Sequence, residues 1–507
     1  MRKAAALFLA AVLCMSLCAC KEDTPPPVEE APEQTVTTAP LESTPFTLAY
    51  NPTQSLHPIT GTDPVNRMLN SLVYEGLYEA DENFVFHPVL AGDVTVNESG
   101  LIWTITPAEG VTFSDGTPLE ASHIVSSLNA ARKSQIYSSR LSNIVSVRAS
   151  KGSVVITLSQ PNGALPSLLD VPIVLDQGSG VPPLGTGRYQ YVWNPDNPYL
   201  MARDSNMPYI VIYLHPVSGT DERISAFDSG SVSAVTTDAL SPYSLVYSSA
   251  CEAWDYSTTD LIYVGFRAAN GPCQSAEVRK ALSKAFDRTA AVSQLPDGKG
   301  EPTSLPIYPG HSEWDLFAAE MMDYDMDSAA QLLQDAGYTK KADGLLYQGK
   351  SKTPLTVTLL VNSDNTAKTA IAEQLAESLR SLGVTVNVKS LPWATYTAEL
   401  AKGNFDLYIG EVRLTADFDI TSLLSGSLNY GGYDLAPIAE QHAAWVSAQG
   451  ESRTWLAKCF WLLFADEAPF APLCFTEETM LVHWNSISNL SPIRTDPFYR
   501  MEGWVIR

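Results

Sequence analysis

At 507 residues the chain exceeds what one ordinary core serves, and two or three domains are expected. Hydrophobic residues at 45% with 17% charged suit a globular body. The 56 Asp and Glu against 32 Lys and Arg lack the basic footprint that nucleic acid requires, so no nucleic-acid partner is expected.

Arg2 and Lys3 precede a short apolar run, Ala4 to Leu13, which is too short for a permanent membrane span. It ends in Leu17-Cys18-Ala19-Cys20, which resembles the lipobox of bacterial lipoprotein signal peptides. That resemblance implies cleavage after residue 19 and a lipid on the Cys20 thiol; an ordinary signal peptide with incidental cysteines is the alternative. Several acyl chains on one residue anchor stably, so a membrane contact through lipid is expected. Residues 20–45 are rich in Pro, Glu and Thr and read as an extended linker. Of the seven cysteines, Cys251, Cys273, Cys459 and Cys474 remain in the body, and two bridges or four thiols both fit.

Phe46–Tyr50 reads as a strand, followed by Ser55-Leu56-His57-Pro58. Val65–Tyr78 carries Met68, Leu69, Leu72, Val73 and Leu77 at helical spacing. Leu101–Thr106 alternates as a half-buried strand, Ser114–Pro118 is a turn, and a helix opens at Glu120 with Ile124, Val125 and Leu128 inward. Val145–Arg148 and Val154–Leu158 form a hairpin about Lys151-Gly152-Ser153. Ala276–Arg288 and Tyr324–Tyr338 read as helices. Leu355–Leu391 is a strand, a helix from Thr366 to Leu382 stopped by Gly383, and a second strand. A helix Trp393–Lys402 then leads to strand Phe405–Ile409. Such alternation predicts parallel strands with right-handed crossovers and a ligand beyond their carboxyl ends.

Taken in order, SLHP, SLVYEGLY, the stretch from His87 to Leu128, and PLGTGRY at Pro183–Tyr189 resemble the family 5 extracellular solute-binding proteins of ABC importers. These include dipeptide-, oligopeptide- and nickel-binding proteins. The resemblance implies an α/β fold of two lobes, periplasmic-binding-protein-like and of the large peptide-binding class, with a hinged cleft. Lobe I is expected at 46–262 with an auxiliary subdomain at about 64–185, lobe II at 263–474, and a return to lobe I at 475–507. The implied partners are a small-molecule or peptide ligand and the ABC permease, with the binding protein a monomer. A surface receptor for signalling, or a binder of a nickel chelate or oligosaccharide, is the alternative.

Gly410–Tyr433 follows the last parallel strand and is where ligand contacts are expected. In peptide-binding relatives this loop gives an Asp to the ligand's ammonium; the register puts Leu414 there, with Asp417 and Asp419 close by. Arg413 at the loop's mouth is a candidate for a ligand carboxylate or for an interlobe salt bridge. Trp393, Asn429, Tyr430 and Tyr433 are candidate walls. Thr62 and Asp63 lie where relatives touch the ligand backbone. His311, Glu313 and Asp315 read as a polar loop rather than a metal site. No nucleophile elbow, zinc motif, phosphate loop or dinucleotide fingerprint occurs, so neither a cofactor nor an enzymatic activity is expected.

Overall fold

The strand–helix–strand unit of the second half is built as its pattern dictates. Asn365 accepts from the Lys368 N–H at 2.9 Å to start helix Thr366–Leu382, and Gly383, at φ 103°, ends it in the left-handed conformation that favours glycine. Ile371, Leu375, Leu379 and Leu382 are buried on one face of that helix, each contributing about 1.5–3 kcal/mol relative to exposure. The flanking strands Thr356–Asn362 and Thr385–Leu391 pair in parallel, Leu359 opposite Val388. Helix Trp393–Lys402 returns the chain to Leu407–Arg413, parallel to Thr356–Asn362 on its other side. This is a computed structural model, and it describes residues 45–178, 180–238 and 246–507. The expected signal peptide, the Cys20 lipid site and the linker as far as Thr44 lie outside the described residues.

The long strand Cys251–Phe266 pairs antiparallel with Leu407–Arg413 on one side and with Phe470–His483 on the other. Ala234–Asp238 closes that edge, and the result is a seven-stranded mixed sheet. Two four-stranded sheets occupy the first half. One pairs Phe46–Tyr50 in parallel with Val211–Pro216. The other contains Ile102–Pro107, with Trp103 and Ile105 buried and Ile102 outward. Its hairpin turns through Lys151 and Gly152, both at positive φ, as a two-residue loop of this twist requires. Helix Ala121–Ala131 covers the same region; Glu120 and His123 cap its start reciprocally.

One hydrophobic core joins the first and last described segments, Phe46 and Leu48 packing with Met480, Val482, Phe498 and Trp504. A second gathers Ile262, Ile371, Leu375 and Cys474, and a third is aromatic, built on Trp445, Phe460, Trp461 and Phe464. The strand Cys251–Phe266 gives Tyr256 to the first core and Ile262 to the second, so the two halves meet within its length.

The helix expected over Val65–Tyr78 is a correction. The structure has two short helices, Pro64–Met68 and Asn70–Val73, and then extended chain leading to strand Tyr78–Ala80. Tyr74 is extended, and Gly76 lies so close to Asp170 that a Cβ would come within 2.7 Å of its Cα. That tertiary contact overrides the apolar periodicity.

Candidate functional site

The extended run that replaces the helix opens a cleft of about 550 Å³. Its walls come from the segment 64–80, from Tyr137, Arg140 and Asp170, from strand Ala234–Asp238, and from Arg494 to Tyr499. Arg413 reaches it from the end of strand Leu407–Arg413, where that strand pairs antiparallel with Cys251–Phe266. A second hollow of about 270 Å³ shares Ala80, Tyr256, Arg494 and Thr495 with it and continues the space. The volume is in the range of about 300–1,000 Å³ that small-ligand sites occupy.

The lining is densely charged. Asp260, buried on the long strand, takes both arms of Arg413, Nε at 2.6 Å and a terminal nitrogen at 2.5 Å. Asp260 and Arg413 are direct cross-strand partners, so the pairing is set by sheet register. Arg494 approaches the same carboxylate at 3.5 Å and donates to the Thr259 hydroxyl at 2.8 Å. Arg140 pairs with Asp170, and Arg188 with Asp496 at 2.6 Å. Tyr256 donates to Glu478 at 2.9 Å. Glu75 and Glu79 face the same space. Burial, then the charges of Glu75 and Asp496, pushes Glu79 up to about 8 against the pull of Arg188. Burial also raises Glu75 above the usual carboxylate range. A lining of this kind holds a ligand through paired charges and hydrogen bonds.

Of the sequence candidates, Arg413 lines this cleft. Leu414 is buried beside it, exchanging backbone and hydroxyl hydrogen bonds with Thr259. Asp417 is buried, accepting from Thr415 at 2.5 Å and from the Asn162 amide at 3.0 Å; burial and the charge of Asp419 raise its pKa. Asn429 and Tyr433 come together around a different hollow of about 250 Å³, where the Asn429 amide accepts from the Tyr433 N–H and donates to its carbonyl. Tyr430 meets Tyr408 edge-on, and Trp393 is exposed, stacked on Tyr396. Asp63 accepts from the Asn66 N–H at 3.0 Å and caps helix Pro64–Met68; Thr62 beside it is exposed. His311, Glu313 and Asp315 diverge: Glu313 binds Arg453 and the Trp445 indole, and Asp315 caps the helix Leu316–Met322. Among the described residues no group of three His, Cys, Asp or Glu is placed to hold a metal. The four body cysteines are unpaired thiols.

The sequence reading missed Arg67, Glu75, Glu79, Asp170 and Asp496. A signal was present, since Glu75 and Glu79 are acids inside an apolar segment, but a helical reading leaves such acids on a solvated face.

A family described as bacterial extracellular solute-binding proteins, family 5 middle, matches residues 85–430. The glutathione-binding protein of Salmonella typhi is 24% identical over 313 residues, 56% of this chain and 59% of that protein. The chain thus spans under two thirds of the length of the first curated relatives it matches. The oligopeptide-binding protein of Bacillus subtilis is 24% identical over 389 residues, 68% of each chain. A nickel ABC transporter structure from Bacillus halodurans superposes with a TM-score of 0.74 at 19% identity, covering 90% of this chain and 98% of that one. Likeness at that identity establishes the two-lobed fold.

Proposed function

Since the chain belongs to the bacterial extracellular solute-binding proteins of family 5, we propose that it is the extracytoplasmic binding component of an ABC importer and that its ligand is a short peptide. The observation that carries this is the cleft itself. It offers carboxylates, guanidinium groups and tyrosines to one ligand, and a free peptide brings an ammonium, a carboxylate and amides to match them. Members of this family are transport binding proteins, and capture requires no nucleophile. Ligand contacts made from both halves of the fold favour a closed form, and the permease takes its cargo from that form. In this reading Cys20 carries the lipid that tethers a monomeric body to the membrane surface.

Thermal-shift screening with pools of short peptides, nickel chelates and oligosaccharides tests the proposal. A ligand that binds only the folded state stabilises it by about 2.7 kcal/mol at a hundredfold excess over Kd. The peptide pool is expected to raise Tm and the other pools to leave it unchanged. A shift from another pool alone reassigns the ligand, and no shift from any pool refutes the capture role.

A further inference from the structure

Charge in the cleft does not cancel group by group. Five arginines line it: Arg67, Arg140, Arg223, Arg413 and Arg494. Arg140 is committed to Asp170, while Arg413 and Arg494 share Asp260. Two arginines have no ion-pair partner among the described residues, Arg67 and Arg223. Arg223 is half-buried, and its Nε is closed off from solvent. Arg67 differs. It stands in the last turn of helix Pro64–Met68, and its side chain is exposed on the cleft wall. Tyr137 lines the same cleft; burial raises its phenol, and the charges of Arg140 and, less, Arg67 work against that rise. The carboxylate in that corner, Asp170, is already held by Arg140.

We infer that Arg67 receives the carboxylate of the ligand, and that Arg413, which sequence position favours, does not. A guanidinium presents a planar fork that matches a carboxylate, and its charge-assisted hydrogen bonds are the strong ones. Arg413 can offer the same fork only by leaving a buried Asp260 with less than its present pairing. Arg67 has no such competitor. Glu75 and Glu79 line the same space; burial favours their protonated forms, and a ligand ammonium beside them would favour the carboxylates again, so the cleft suits a zwitterion. This inference rests on the peptide reading above and specifies which end of the peptide is recognised, and by which residue.

The test compares two tripeptide pools of the same sequences, one with free carboxyl termini and one with carboxamides, by thermal-shift titration. The wild-type chain is expected to bind the free acids about 10- to 100-fold more tightly, the worth of a hydrogen-bonded charge. Arg67→Ala should abolish that preference by weakening the free acids much more than the carboxamides, while Arg413→Ala and Arg223→Ala should retain it. Arg67 has no ion pair to lose among the described residues, so the variant should melt close to the wild type. Arg67→Lys, which keeps the charge without the fork, should fall between and serves if the alanine variant misfolds. Equal binding of both pools to wild type, a preference that survives Arg67→Ala, or one erased instead by Arg223→Ala or Arg413→Ala, overturns the inference and leaves the peptide reading standing. Failure of both pools to bind overturns the peptide reading and the inference with it.

Discussion

Replacing Asp260 by Ala removes the one carboxylate that two arginines share. The Asp260 side chain is 9% exposed, that of Arg494 21% and that of Arg413 59%. The three do not lose equally. Arg413 reaches solvent, so its share is that of a largely exposed pair, about 1 kcal/mol at most. Arg494 is largely withdrawn from water and keeps the Thr259 hydroxyl and the more distant charge of Glu478. Leaving one member of a buried pair uncompensated costs about 3–5 kcal/mol. The Asp260–Arg494 contact is long, at 3.5 Å, which places the expected loss near the lower end, at ~3 kcal/mol. Urea unfolding should show this as a lower midpoint at unchanged slope. Asp260→Asn, which keeps an acceptor, should lose less. Arg413→Ala alone should cost ~1 kcal/mol or less, and the double variant less than the sum, since the two residues share one interaction. A midpoint for Asp260→Ala within error of wild type would refute the view that this carboxylate holds Arg413 and Arg494 in place.

Glu79 gives a pH signature. Its folded-state pKa is raised from 4.5 to about 8, so the folded state prefers the protonated form. The stability this adds is fully present below the unfolded pKa and is lost as pH rises through the folded one. Glu79→Gln should therefore gain on wild type progressively between about pH 4.5 and about 8, read as the Tm difference across that window; a constant difference contradicts the assignment. Gly163 donates its N–H to the Val446 carbonyl at 2.8 Å, and a Cβ there would lie 1.6 Å from the Ala448 oxygen. Gly163→Ala should cost about 1–3 kcal/mol by urea unfolding, because backbone has to move; an unchanged midpoint would show that this contact yields freely. Of the four thiols, Cys251 and Cys459 are partly exposed and Cys273 and Cys474 buried, with burial pushing Cys474 up to about 12. A thiol reagent should titrate the first two in the native body and the others only after unfolding; four fast reactions would contradict that burial.

What the sequence discloses and what it withholds divide along one physical line. The corner from Leu101 to Leu128 and the unit from Thr356 to Leu391 are set by local patterning, by turn glycines and by caps, and each stands where its pattern puts it. Val65–Tyr78 carries an equally good apolar pattern and breaks, because Gly76 must pass against Asp170, a neighbour no window of that segment contains. The site is illegible for the same reason. Arg413 and Arg67 are alike as sequence: single arginines beside apolar residues. What separates them is Asp260, 153 positions from Arg413 along the chain and directly across the sheet from it. A charge becomes available to a ligand only by what is left after the fold has paired its neighbours. Patterning does not record those pairings, since they depend on strand order and register rather than on composition. The segment Gly410–Tyr433 shows the consequence. It has the loop position, the aromatics and the acids that mark a binding loop, yet Asp417 turns inward to Asn162, Asn429 holds its own loop, and Arg413 alone lines the cleft, already engaged.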